Sequence, residues 1–532
     1  MALNLILVAF IIFACVVFRG VTGKLGIPML FAFIILGMLF GTDGILKIPF
    51  DDYTFAEEIC TIALIFIMFY GGFGTKFSKA KPVAAHAVVL SSLGTVLTAL
   101  VVGIFCHYVL RFQLLESFLI GAVISSTDAA SVFSILRSKH LNLKYNTASL
   151  LEIESGSNDP FSYMLTVLIL ALMSGEASGW DFVLMIFKQI VFGISFGVII
   201  AFIAERFMRK LRFMSSGFDG VFLVGIAVFS FALTNLIGGN GYLSVYLTGI
   251  ILGNKNIYNK QALVHFFDSV TGLMQMLLFF LLGLLAFPSQ LPSIVLPALL
   301  IAVFLTLVAR PLSVILLSAP FKCNFKQMLF VSWSGMRGAA SIVFAILTVI
   351  SSAFTQNDIF HIVFFIVLFS ILIQGSLIPI VAKKLDMIDD KSDVMKTFND
   401  YTDEFPIRYI RFTIPENHSW IGKKVKDIEL PPECLLVLVL RDGKNYVPRG
   451  NTIIHGQDTL ILSGRASDEI AGVHLNEKII LKGDEWENKT ISEIKDSNKF
   501  IVMILRSNHT IIPKGNTKIC ENDILVLNSI NE

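Results

Sequence analysis

The sequence predicts a polytopic α-helical membrane protein of about 13 transmembrane helices, arranged as inverted six-helix repeats with two broken helices, followed by an α+β cytoplasmic domain. Two observations predict it. Of 532 residues, 55% are hydrophobic and 15% charged, against ~25% charged in soluble domains. The charge is also uneven, with 39 charges in the first 384 residues and 43 in the remaining 148. The second observation is a series of apolar stretches, each long enough to cross ~30 Å of hydrocarbon, separated by loops that are alternately basic and not.

The stretches lie at 3–18, 27–42, 59–73, 83–110, 114–136, 148–173, 181–207, 218–236, 240–254, 266–287, 292–317, 326–350 and 358–382. Lys and Arg collect on the cytoplasmic side of membrane proteins. One set of loops holds Arg19 and Lys24; Lys76, Lys79 and Lys81; Arg137, Lys139 and Lys144; Arg206, Arg209, Lys210 and Arg212; Lys255 and Lys260; Lys322 and Lys326; and Lys383 and Lys384. The other set holds only Lys47 and Arg111. An odd count then places the N-terminus outside and the C-terminus in the cytoplasm of a multi-pass cell-membrane protein. Residues 1–10 contain no Lys or Arg, so the basic start of a cleaved signal is missing and the first stretch reads as a helix. The six cysteines form no CxxC and no Cys/His cluster, which suggests neither a zinc site nor a disulfide framework.

An ionisable residue at mid-bilayer costs ~2.5 to 3.5 kcal/mol on insertion scales and needs a partner or a function. Five stand out: Asp128 in span 5, Glu154 and Asp159 in span 6, Arg310 in span 11 and Arg337 in span 12. Three acids against two arginines leave one carboxylate without a fixed cationic partner, as a site alternating between H+ and a monovalent cation requires. At ~1.5 Å of rise per residue, Glu154 and Arg310 lie at similar depth. Arg337 is also placed to serve Glu154 or to neutralise Asp128, and sequence does not choose.

Small polar residues interrupt span 5 at Ser125-Ser126-Thr127-Asp128-Ala129-Ala130-Ser131 and span 12 at Ser332-Trp333-Ser334-Gly335-Met336-Arg337-Gly338. Breaks at corresponding places in two halves mark a transporter site. Spans 5 and 12 are seven apart, and an odd displacement inverts topology, so span 7 links two inverted sets of six. In span 6, Ser155 and Asp159 share a face while Asn158 turns toward a neighbouring one, and with Thr127 and Asp128 they supply hard oxygen ligands for Na+ or K+. The bland alternative for Ser155 and Thr127 is interhelical hydrogen bonding alone.

At these residues the chain resembles monovalent cation:proton antiporters of the NhaP and sodium/proton exchanger type. The resemblance rests on Thr127-Asp128, Glu154-Ser155-x-x-Asn158-Asp159 and Gly335-Met336-Arg337-Gly338, and covers residues 1–385. It implies a homodimer, elevator-like exchange, Asp159 as the cation- and proton-binding acid, and Asp128, Thr127 and Ser155 lining the site. Asn158 stands where electrogenic relatives carry a second Asp, which implies electroneutral exchange.

A linker is expected at 386–401, then two similar units at 402–466 and 467–532. Arg441, Val447-Pro448-Arg449-Gly450-Asn451-Thr452 and Asp458 recur 65 residues later as Arg506, Ile512-Pro513-Lys514-Gly515-Asn516-Thr517 and Asp523, the mark of tandem duplication. The pattern resembles the TrkA C-terminal type of potassium-conductance regulator. That resemblance implies a small effector, cyclic di-AMP being one such ligand, and tilts the cation toward K+. The Pro-Arg/Lys-Gly-Asn segments also read simply as turns. The tail is acidic, with 24 acids against 19 bases, which argues against a nucleic-acid partner. No G-x-G-x-x-G in the right setting and no Walker A segment calls for a cofactor. A channel would show a carbonyl-lined filter segment, and none of the TVGYG kind is present. No nucleophile-base or metal constellation suggests an enzyme.

Overall fold

The computed structural model describes residues 29–389 apart from 140, 176–178, 212–217, 256 and 258–259, and residues 407–529 apart from 417, 431–433, 442–443, 466–474, 495–498, 507–508 and 512, together with Ala9, Phe13, Cys15 and Val17. Most of the first expected span, most of the expected linker and Ile512 of the repeated motif lie outside the described residues. The chain divides into two compact units, Met1–Tyr401 and Thr402–Glu532.

Among its described residues the first unit is built of helices: α1 Met29–Phe40, α2 Tyr53–Gly74, α3 Ala84–Tyr108, α4 Leu114–Val123, α5 Ala129–Ser138, α6 Thr147–Met173, α7 Trp180–Leu211, α8 Phe218–Leu236, α9 Gly241–Gly253, α10 Lys260–Leu284, α11 Pro292–Phe321, α12 Phe325–Trp333, α13 Ala339–Ile350 and α14 Ile359–Lys384. Each expected span from the second to the thirteenth overlaps one helix or one pair of half-helices. Among the described residues, seven helices (α2, α3, α7, α8, α10, α11 and α14) are long and apolar enough to cross a bilayer, so this is a multi-pass membrane protein. Polar caps move some boundaries beyond the apolar windows. Helix α2 begins at Tyr53 because the Asp52 side chain accepts the Phe55 amide at 2.9 Å, satisfying a donor the first turn leaves bare.

Helix packing repeats with a displacement of seven spans. Helices α1 and α10 (spans 2 and 10) touch backbone to backbone, since a Cβ at Gly37 would lie 2.1 Å from the Phe280 carbonyl and one at Gly283 would lie 2.2 Å from that of Ile34. Helices α2 and α9 (spans 3 and 9) meet the same way at Gly72, Gly249 and Gly253. Small residues permit such approach where hydrocarbon gives no apolar driving force. Moving each span by seven turns one pair into the other. Spans 4 and 11 both carry a π-helical segment, Leu90–Gly94 and Leu305–Ala309, and face each other through Thr98 and Ser313 at 3.0 Å.

Contacts between helix ends define two sides. On one, Asn254 accepts from the Phe77 amide and donates to the Thr75 carbonyl, and Lys144 binds Asp386 at 2.8 Å. These are the basic loops. On the other, the Ser289 amide donates to Asp43 and the Asn357 amide to Glu116. The chain leaving α14 is strapped to the α5–α6 loop: the Lys144 amide donates to the Met387 carbonyl at 2.9 Å and the Asp389 amide to that of Asn142 at 3.0 Å, making an antiparallel bridge of Leu143 with Ile388.

The second unit holds two antiparallel four-stranded sheets. One is ordered β1-β4-β2-β3, with β1 Ile407–Thr413, β2 Leu435–Arg441, β3 Lys444–Tyr446 and β4 Thr459–Arg465; the other is β5-β8-β6-β7, with β5 Leu475–Ile479, β6 Lys499–Arg506, β7 His509–Ile511 and β8 Ile524–Ser529. The sheets share a bulge at the same register, between Leu436 and Leu438 and between Ile501 and Met503. They also share a one-turn helix, Val425–Asp427 and Ile491–Glu493. The Arg449 and Lys514 amides each donate to a Thr hydroxyl three residues on, which makes the repeated Pro-Arg/Lys-Gly-Asn segments turns. The outer strands β1, β3, β5 and β7 are short or carry charge among their apolar residues, so alternation of apolar and polar residues does not mark them in the sequence.

Candidate functional site

The two breaks cross. Between α4 and α5 the chain runs extended, as it does between α12 and α13, and the Asp128 amide donates to the Met336 carbonyl at 2.8 Å. The crossing leaves no room for side chains at Gly335 and Gly338. A Cβ at Gly338 would lie 2.4 Å from that of Asp128, and one at Gly335 2.6 Å from Arg310 Nε.

Half-helices end at mid-membrane with unpaired carbonyls and amides, and each end carries a charge of the matching sign. Arg337 Nη1 donates to the carbonyls of Ser125 (2.7 Å) and Ser126 (2.8 Å) beyond the α4 C-terminus. Asp128 caps the N-terminus of α5, accepting the Ser131 amide at 3.1 Å and the Ser131 hydroxyl. Arg337 therefore pairs with neither Glu154 nor Asp128. Glu154 meets Arg310 at 2.5 Å, with the two side chains 1% and 3% exposed.

Asp159 accepts the Ser126 hydroxyl. Among the described residues neither Asp159 nor Asp128 forms an ion pair. Both line a cavity of about 720 Å³ together with Ser126, Thr127, Ser155 and Gly338. Tyr70, Glu152 and Asp268 also line it, the last two near the basic-loop ends of α6 and α10.

Two expectations change in detail. Asn158 is absent from the cavity wall: it is buried behind it, and Nδ2 donates to Thr127 Oγ1 at 2.6 Å. Its position one residue before Asp159 turns it about 100° around the helix, so the two amide and carboxyl groups face different neighbours. The Ser155 hydroxyl lines the cavity but donates to the Thr127 carbonyl at 2.7 Å and accepts the Ala129 amide at 2.8 Å. It bridges the break in span 5 with both bonds. Pro160 leaves α6 continuous, and its carbonyl accepts Asn240 Nδ2 at 2.7 Å. The Gly238-Gly239-Asn240-Gly241 turn thus ends in a residue that caps α9 and ties it to α6.

Sequence reasoning placed Ser126 and Ser131 in the break without giving them partners, and missed Glu152, Tyr246 and Asp268. Ser131 sits three residues after Asp128, the spacing of a helix N-cap. Glu152 lies seven before Asp159, on the same face. Tyr246, one of two tyrosines on an apolar helix, carried no signal.

With this geometry in hand, comparison with known proteins is informative. The family described as sodium/hydrogen exchanger, transmembrane, matches residues 6–384, and the TrkA-C domain matches residues 409–471. The chain is 33% identical over 470 residues, 88% of its length and 82% of the relative's, to a protein named K(+)/H(+) antiporter NhaP from Alkalimonas amylolytica. It is 31% identical to K(+)/H(+) antiporter NhaP2 of Shewanella sp. (strain MR-4), over 85% of this chain and 79% of that one. Among solved structures, that of the sodium proton antiporter MjNhaP1 from Methanocaldococcus jannaschii superposes with a TM-score of 0.63 at 24% identity, covering 72% of this chain and 99% of that one. This last likeness is one of fold.

Proposed function

This chain belongs to the sodium/hydrogen exchanger family, and we propose that it is an electroneutral secondary antiporter exchanging K+, with Na+ as the alternative cation, for H+ across the cell membrane. The observation that carries the reading is Asp159: a carboxylate lining a large cavity at the crossing of two broken helices, held by a serine hydroxyl and, among the described residues, by no cationic side chain. The other four of the five central charges are already occupied. Glu154 and Arg310 neutralise each other, and Arg337 and Asp128 answer half-helix ends.

Burial favours the protonated carboxyl, and a desolvated cation favours the ionised one, so the two ions compete for one site. Competition gives one-for-one coupling when only the loaded protein changes sides. Asp128 and the Thr127 hydroxyl complete the oxygen lining; Ser155 and Asn158 hold it in place. Asn158 contributes no second charge, which supports electroneutrality. The names of the relatives above 30% identity support K+.

The reading includes an N-terminus outside, a cytoplasmic tail of two TrkA-C-like units, and a homodimer serving cation and pH homeostasis. It also includes regulation by a small cytoplasmic effector of the cyclic di-AMP kind. The strap of residues 387–389 on the α5–α6 loop supports regulation, since it ties the stretch leading to the tail to the loop joining the Asp128 and Asp159 helices.

The test is reconstitution in liposomes with a pH-sensitive dye inside, under K+ or Na+ gradients and clamped voltage. Proton flux that follows a cation gradient and ignores voltage is expected, and Asp159→Ala is expected to abolish it. Cation current without proton movement would overturn the reading.

A further inference from the structure

On α6, Glu152, Gly156 and Asp159 fall at i, i+4 and i+7, one face of the helix, and all three line the cavity. Glu152 is two turns closer to the basic-loop side, about 10 Å from Asp159 along the axis at ~1.5 Å per residue. Across the gap between them lies Tyr246 of α9. A Cβ at residue 156 would sit 2.6 Å from Tyr246 Cε2 and 2.7 Å from its hydroxyl oxygen, so glycine there makes room for the phenol and sets its tip between the two carboxylates. Tyr246 is 2% exposed and lines the same cavity, and among the described residues its hydroxyl makes no hydrogen bond of ordinary geometry, although the Ser157 and Thr75 side chains lie beside it. Leaving a buried hydroxyl unmatched is unfavourable, and the group is normally met by something else. Glu152 Oε1 accepts the Thr75 hydroxyl at 3.1 Å.

We propose that Glu152 and the Tyr246 hydroxyl form a second cation site, a waiting station two turns short of Asp159, which takes a partly hydrated K+ or Na+. A carboxylate and a phenol oxygen are hard donors suited to such ions, and the cavity has room for their remaining water. The station loads from the basic-loop side only. Its ion waits while Asp159 is protonated and steps forward when the proton leaves, so the station raises cation capture and leaves the one-for-one coupling at Asp159 intact. The inference rests on the antiport reading.

The test has two arms. In proteoliposomes, Tyr246→Phe should raise the half-saturating cation concentration about threefold to tenfold, the weight of one lost polar contact, with a smaller effect on maximal rate. This should hold only when the cation is supplied from the basic-loop side. The second arm needs no transport. Purified Asp159→Asn protein should still be thermally stabilised by added K+ or Na+, and adding Tyr246→Phe or Glu152→Gln should remove that stabilisation. An unchanged half-saturating concentration in Tyr246→Phe, or loss of all cation-dependent stabilisation in Asp159→Asn alone, overturns the station. Absence of exchange in the unaltered protein would instead overturn the antiport reading, and the thermal arm would still decide the station.

Discussion

Gly338 shows how little space the crossing allows: its missing side chain is where the Asp128 carboxylate sits. Gly338→Ala would displace that carboxylate from the α5 N-terminus, an overpacking that typically costs 1–3 kcal/mol. The expected outcome is loss of exchange in liposomes while the protein still elutes as one folded species. The Glu154–Arg310 pair behaves differently, because both side chains are buried. Glu154→Gln leaves a buried guanidinium without its counter-charge, a loss of about 3–5 kcal/mol, read as a lower thermal unfolding temperature in detergent. Replacing both partners, as in Glu154→Gln with Arg310→Met, should recover much of that loss. If the single variant melts like the unaltered protein, the pair is not structural.

At the scale of elements, the strap of residues 387–389 joins the stretch leading to the tail to the α5–α6 loop. Asp386 lies 2.8 Å from Lys144 and 4.0 Å from Lys326, so Asp386→Lys faces two like charges and should loosen the strap. If the strap carries the tail's influence, this variant should show the same dependence of exchange rate on pH and effector as a chain ending at residue 401. Retention of the full-length profile by Asp386→Lys, while the shortened chain departs from it, would sink that route. The turn at Asn240 is a second coupling of elements. One side chain both caps α9 and holds the Pro160 carbonyl, fixing the helix that bears Tyr246 against the helix that bears Asp159.

At the scale of the whole molecule, two solvents shape two kinds of charge. In the membrane unit Glu154 and Arg310 answer each other, Arg337 and Asp128 answer half-helix ends, and Asp159 faces the cavity. In the tail, charge serves the fold at matching points of both sheets. Arg441 grips Asp458 and Arg506 grips Asp523, each through two bonds of 2.7 Å. Burial pushes both carboxyls up, but the guanidinium fork and the amide three residues before each Asp outweigh it and hold them below the usual carboxylate value. A carboxyl with a depressed native pKa stabilises the fold above its unfolded pKa of ~4, and that stability is lost as pH falls through the native value. Amide exchange at β4 and β8, corrected for intrinsic rates, should therefore be steady from about pH 7 to pH 5 and accelerate below about pH 4. Asp458→Asn should remove the acid dependence at β4 and leave that at β8. Equal loss at both would mean the two sheets do not unfold independently.

Sequence alone determined the materials: which part lies in the membrane, where the spans from the second onward run, where two of them break, and five of the acids and bases that sit deep. These are legible because crossing length and the cost of a buried charge depend on local composition. Helix ends were less legible, since caps such as Asp52 extend an element past its apolar stretch. Partners were decided only in the tertiary structure. Arg310 and Glu154 are 156 residues apart, and Arg337 and Ser125 are 212 apart. The depth of a residue does not say which neighbour its side chain meets. The same holds for Asn158, which turned out to stand behind the site, and for Tyr246, whose place between two carboxylates depends on a glycine in another helix. A side chain's direction follows from how helices pack, and packing is set by close approaches between elements far apart in the chain.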